Sequence, residues 1–135
     1  MLNYVLLDTD VFSFLFKHSP WGERYLPHLT GKTLCLSFQT VAELYYWAEK
    51  QRWGTARHER LHAWMRAYVV IPYDDAIALA WARIKTQREA QGRPISAQDA
   101  WIAACAVRYD CPLVTHNAKD YAGILKLRLI TEPAN

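Results

Sequence analysis

The chain has 135 residues, the size of one domain with a single sizeable core, and 52% of them are apolar or aromatic. Sixteen Lys and Arg against thirteen Asp and Glu leave a formal charge of +3, a bias that suits nucleic acid without establishing it. Cys35, Cys105 and Cys111 are odd in number and lack a C-x-x-C spacing, which argues against a disulfide framework, and no apolar run approaches the roughly 18 residues of a membrane span. The expectation is a soluble, cytoplasmic protein forming one domain over residues 1–135, with no membrane contact.

Taken in chain order, "NYVLL" (3–7) predicts a short buried strand that stops on Asp8, followed by a helix with Asp10 in its first turn. "TLCLSF" (33–38) predicts a second strand. Val41, Leu44, Tyr45 and Ala48 recur at helical spacing, as do Leu61, Trp64, Met65 and Tyr68, and Gly54 between them suggests a helical hairpin. "YVVIPY" (68–73) reads as a third strand, after which Asp74 and Asp75 cap a helix marked by Ile77, Ala80, Trp81 and Ile84. Gly92 and Pro94 in "EAQGRPIS" (89–96) separate that helix from "AWIAACAV" (100–107), apolar all round and so expected to be the most buried. "PLVTH" (112–116) and "LRLI" (127–130) complete the pattern. Alternating strands and helices predict an α/β fold: a central, mostly parallel sheet of four to five strands flanked by helices on both faces.

Ligands of open α/β sheets bind outside the carboxyl ends of the strands. Asp8 has that address. Glu43 in the helix after the second strand, Asp99 at the start of the apolar helix and Asp120 after the fourth strand have similar ones. Far apart in sequence, these acids meet only if the fold gathers them, and unneutralised they raise one another's pKa. A hard divalent cation removes that cost; oxygen ligands without His or Cys suit Mg²⁺ or Mn²⁺, an ion able to orient and ionise water against a phosphodiester. Capping competes at Ser96-x-x-Asp99, Thr40-x-x-Glu43 and Asn117-x-x-Asp120, but it does not account for Asp8, which closes a strand.

"LLDTDVF", "TVAELYYWA", "ISAQDAWIAACAV" and "CPLVTHNAKDY", in this order across nearly the whole chain, resemble PIN-domain endoribonucleases, most of all the VapC-type toxins of toxin–antitoxin pairs. The resemblance implies a PIN-like fold and a metal-dependent ribonuclease in which Asp8 and Asp99 are the principal metal ligands and Glu43 completes the pocket. Many members carry an acid where Asn117 stands and others three residues later, so Asp120 is taken as the fourth acid with Asn117 as a neutral helper. Thr9, Asp10 and Thr115 are expected to orient water or a carboxylate from beside the metal. The resemblance also implies a cognate antitoxin and a homodimer.

Arg83, Lys85, Arg88, Arg93 and Lys119 are expected to hold an RNA backbone across the acids, against the plainer reading of solvated surface charge. Tyr45, Tyr46, Trp47, Trp53, Trp64 and Tyr68 exceed what one small core readily absorbs, so part of this cluster is read as a protein interface. His58 and His62, four apart, lack a third ligand and are read as a surface pair rather than a zinc site. His116 is expected to contact substrate or a ligand rather than to catalyse. Two other enzymatic or binding classes stay open: a haloacid-dehalogenase-like phosphatase, which shares an apolar strand followed by D-T-D-V but has a later G-D-x-x-x-D absent here, and a catalytically silent PIN module that binds RNA or protein. A receiver-type domain fits less well, because no lone acid closes the third strand.

Overall fold

The five apolar runs form five short strands, and every pairing between them is parallel. The structure, a computed structural model, describes residues 3–133; the two outermost positions at each end of the expected 1–135 unit lie outside the described residues. β1 (Tyr4–Leu7) leads into α1 (Thr9–Phe16) and α2 (Pro20–Leu29). β2 (Thr33–Ser37) leads into α3 (Phe38–Lys50) and α4 (Thr55–Met65), and β3 (Val69–Ile71) into α5 (Asp75–Ala90) and α6 (Ala97–Arg108). β4 (Leu113–Val114) is followed by a 3-10 turn at Ala118–Tyr121 and by β5 (Leu129–Ile130). The sheet order is β3-β2-β1-β4-β5. The chain winds outward from β1 on one side, then returns to place β4 on the other, so the direction of winding reverses between β1 and β4.

Alternation along β1 assigns each side chain to a layer. Leu6 enters one core with Ile77, Ile84 and the α6 residues Ile102 and Cys105. Val5 and Leu7 enter the other, with Phe12, Phe16, Tyr25 and Leu61. Both faces of the sheet are covered, as parallel sheets require. α6 meets the expectation of the most buried helix: Ala100, Ala103, Ala104 and Ala106 are all sequestered and let it lie close to the strands. The three cysteines are unpaired and buried, and burial pushes the Cys105 thiol up to about 12, leaving it an inert core group.

α2 has no counterpart among the predicted elements. Ser19 caps it, Pro20 occupies its first position, where a missing N–H costs nothing, and Pro27 falls in its second half. Gly22 favours the close approach of α2 to α1: a Cβ there would meet the Phe14 carbonyl oxygen at 3.1 Å, so a larger residue would push the Phe14 backbone back by a few tenths of an ångström. "TLCLSF" ends as a strand at Ser37, whose hydroxyl turns to accept from the Thr40 N–H at 3.0 Å, so Phe38 starts α3. The helical hairpin is as expected, with Gly54 as the N-cap of α4. Its aromatic residues divide: Trp53, Trp64 and Tyr68 pack around Phe12 and Phe16, whereas Tyr45 and Tyr46 stay exposed.

Candidate active site

The crevice at the winding reversal lies between the carboxyl ends of β1 and β4, and Asp8 and Thr115 stand at those two ends. Asp8 ends the strand and also caps α1, its Oδ1 accepting from the Thr9 N–H at 2.8 Å. Closing a strand and capping a helix are thus one role here, a correction to the contrast drawn from sequence. Asp8 Oδ2 accepts from the hydroxyls of Thr115 (2.7 Å) and Tyr121 (3.1 Å). The Tyr121 hydroxyl also lies 3.2 Å from Asp99 Oδ1. Asp99 sits in the first turn of α6, and its N–H donates to Ser96 Oγ at 3.1 Å, so the Ser96 cap and the site coexist.

Asp10, in the first turn of α1, is held by backbone and amide donors: Oδ1 accepts from Val11 N (2.7 Å), and Oδ2 from His116 N (3.1 Å) and Asn117 Nδ2 (2.9 Å). Glu43 is half-buried on α3, with Oε1 accepting from Gln39 Nε2 at 3.2 Å. The Thr40-x-x-Glu43 capping alternative fails, because Ser37 is the cap; Thr40 instead joins a buried hydroxyl chain, 2.9 Å from Thr9 Oγ1 and 3.2 Å from Ser37 Oγ. Asn117 caps nothing with its side chain, and Asp120 is exposed on the 3-10 turn. Asp8, Asp10, Glu43, Asp99 and Asp120 line one open cleft of about 170 Å³, with Thr9, Trp47 and Asn117 completing its wall.

Burial is the leading cause that raises the pKa of Asp8, Glu43 and Asp99, with neighbouring carboxylates adding to it. Asp10 is pushed up to about 7 by burial and by the charge of Asp8. These acids therefore hold protons more tightly in the folded chain than in the unfolded one, whose carboxyls titrate near pH 4. Between about pH 4 and pH 7 the native state binds the greater number of protons, so its stability falls as pH rises. The expected result is a metal-free protein with a higher thermal midpoint at pH 5 than at pH 8 in chelator, read by circular dichroism; a midpoint that climbs across this interval would contradict the electrostatics. Asp74 and Glu132 have lowered pKa values, through the Ile77 N–H and His28 respectively, and act with opposite sign only below about pH 4.

The donors are all oxygen and carry excess negative charge, the set a hard divalent cation takes. Among the described residues no three acidic, His or Cys side chains already stand in a close-set group.

The basic side chains expected around the cleft scatter. Arg88 is a correction: it is 4% exposed, donating from Nε to the Arg93 carbonyl at 2.7 Å and from Nη1 to the Asp120 carbonyl at 2.9 Å, so it braces backbone and cannot meet RNA. Lys85 spends its ammonium on the Ile95 carbonyl at 2.8 Å, and Arg83 lies in a separate groove with Leu79 and Leu125. Arg93 and Lys119 are exposed, Lys119 next to Asp120. His58 pairs with Glu49 at 3.6 Å. The His116 ring is boxed in, 2.6 Å from the Tyr25 hydroxyl through Nδ1 and 4.2 Å from the Trp21 ring, while its backbone N–H orients Asp10. Tyr121, Thr40 and Tyr25 were invisible as site-shaping residues; each is a neutral hydroxyl with no periodicity or charge to mark it.

The PIN domain family matches residues 5–123. The tRNA(fMet)-specific endonuclease VapC of Shigella flexneri is 30% identical over 128 residues, 95% of this chain and 96% of that protein. Ribonuclease VapC1 of Haemophilus influenzae is 32% identical, covering 91% of this chain and 93% of its own. The solved structure of DNA-bound VapBC from Salmonella typhimurium superposes with a TM-score of 0.79 at 26% identity, over 97% of this chain and 98% of that one. With the sheet order, the cleft and these likenesses in agreement, the chain belongs to the PIN-domain family, among its VapC-type members.

Proposed function

We propose that this chain, a single PIN domain, is a divalent-cation-dependent endoribonuclease acting in the cytoplasm as the toxin of a toxin–antitoxin pair. The observation that carries the reading is the convergence of Asp8, Asp10, Glu43, Asp99 and Asp120, drawn from four separate segments, on one cleft at the switch point of the sheet. The names of the relatives, endonucleases and ribonucleases acting on RNA, support the substrate class.

Asp8 and Asp99 would hold Mg²⁺ or Mn²⁺, with Glu43 and Asp120 alongside. Such an ion supplies Lewis-acid stabilisation of a phosphodiester and acidifies the attacking water. Thr9 N–H and Thr115 fix the Asp8 carboxylate, and the His116 N–H and Asn117 amide fix Asp10, so the charged wall is oriented before RNA arrives. Glu43, tethered through one oxygen to Gln39, would orient the attacking water. Arg93 and Lys119, the exposed cations among those predicted, hold the RNA backbone. Tyr45 and Tyr46, exposed on α3, offer aromatic surface to a protein partner, the cognate antitoxin or a twin chain; a toxin–antitoxin complex among the structural neighbours supports the antitoxin.

The test is incubation of purified protein with structured RNA in Mn²⁺ or Mg²⁺. Internal cuts that vanish in EDTA are expected. Intact RNA in both ions, or a trapped aspartyl phosphate on Asp8, overturns the proposal in favour of a silent module or a phosphatase.

A further inference from the structure

Asp8 and Asp99 reach the cleft from different elements, one from the end of β1 and one from the first turn of α6. The two carboxylates are like charges in a partly buried place and repel. One neutral group touches both. The Tyr121 hydroxyl stands 3.1 Å from Asp8 Oδ2 and 3.2 Å from Asp99 Oδ1, and its ring is 1% exposed, fixed in the core beneath α6. The turn that carries it is itself pinned. Asp120 N–H donates to the Asn117 carbonyl at 2.9 Å, and the buried Arg88 guanidinium grips the Asp120 carbonyl next door.

A phenol has one proton and so donates to one acid at a time, swinging between two acceptors at nearly equal distance. While that proton points to Asp8, the Tyr121 and Thr115 hydroxyls both donate to Oδ2, whereas Oδ1 accepts from the Thr9 N–H. Asp8 then keeps an acceptor direction on Oδ1 to offer a cation, and when the proton points to Asp99 it engages Oδ1 of that carboxylate. We propose that Tyr121 is a positioning residue for the divalent ion: its hydroxyl ties Asp8 to Asp99 and selects which oxygen of each carboxylate faces the cleft. This rests on the cation reading above and adds to it a residue that is not itself a ligand.

The experiment is a calorimetric titration of the whole chain with Mn²⁺ at fixed pH, for the wild type, Asp8→Asn and Tyr121→Phe, with circular dichroism as the control for folding. Phenylalanine keeps the buried ring and removes only the bridging oxygen. Tyr121→Phe is expected to bind Mn²⁺ about 10–100-fold more weakly, the usual cost of losing a group that orients a metal ligand. Its deficit in RNA cleavage should narrow as Mn²⁺ is raised. A purely structural tyrosine gives a lower thermal midpoint with Mn²⁺ affinity within about twofold of wild type, and that result overturns the assignment. Wild-type protein that binds no Mn²⁺, or Asp8→Asn protein that binds it equally well, overturns the cation reading beneath it.

Discussion

Asp8→Asn is expected to lower RNA cleavage by about a thousandfold or more, roughly 4 kcal/mol on the barrier, while the fold stays intact. The substitution is isosteric. Its amide oxygen can still accept from the Thr9 N–H as the cap of α1, and the Thr115 and Tyr121 hydroxyls can rotate to accept from the new amide nitrogen. Because burial already disfavours the ionised Asp8, neutralising it relieves a cost in the native state, so the thermal midpoint at neutral pH should hold or rise. Loss of activity with retained stability separates a ligand from a structural residue. Cleavage that persists at the wild-type rate, measured under single-turnover conditions, would remove Asp8 from the mechanism.

Arg88→Met should destabilise the fold by about 3–4 kcal/mol, the loss of two hydrogen bonds from a charged donor to backbone carbonyls. Methionine keeps the unbranched stem in place and strands the Arg93 and Asp120 carbonyls without their buried partner. Arg88→Lys should fall between the two, since one ammonium lacks the planar fork that reaches both acceptors. Denaturant unfolding followed by tryptophan fluorescence measures this. A change below about 1 kcal/mol for the methionine variant would show the bonds to be unimportant.

Arg88 also shows what the sequence offered and how it was misread. Ile77, Trp81, Ile84 and Arg88 fall on one helix face, so the stripe that correctly marked α5 as inward-facing carried the arginine inward too. Charge type outweighed position in the expectation of an RNA contact. The strands were legible because each is a short apolar run bounded by turns, although Val69 and Val70 on the edge strand β3 stay exposed; Asp8 was legible because it closes such a run, and Glu43 and Asp99 because they stand on the helices near the carboxyl ends of the sheet. α2 was illegible for the opposite reason: Pro20, Gly22 and Pro27 look like breakers, yet each occupies a place where the helix tolerates or needs it. Tyr121 sits in a four-residue turn too short for any periodic signal.

The slot for β4 beside β1 has a temporal consequence. Residues 113–121 deliver Thr115 and Tyr121 to Asp8 and carry Asp120, and they emerge from the ribosome after more than a hundred others. Until they dock, a nascent chain holds the acids proposed to cut RNA unassembled, next to the very ribosomal and messenger RNA on which it is being made.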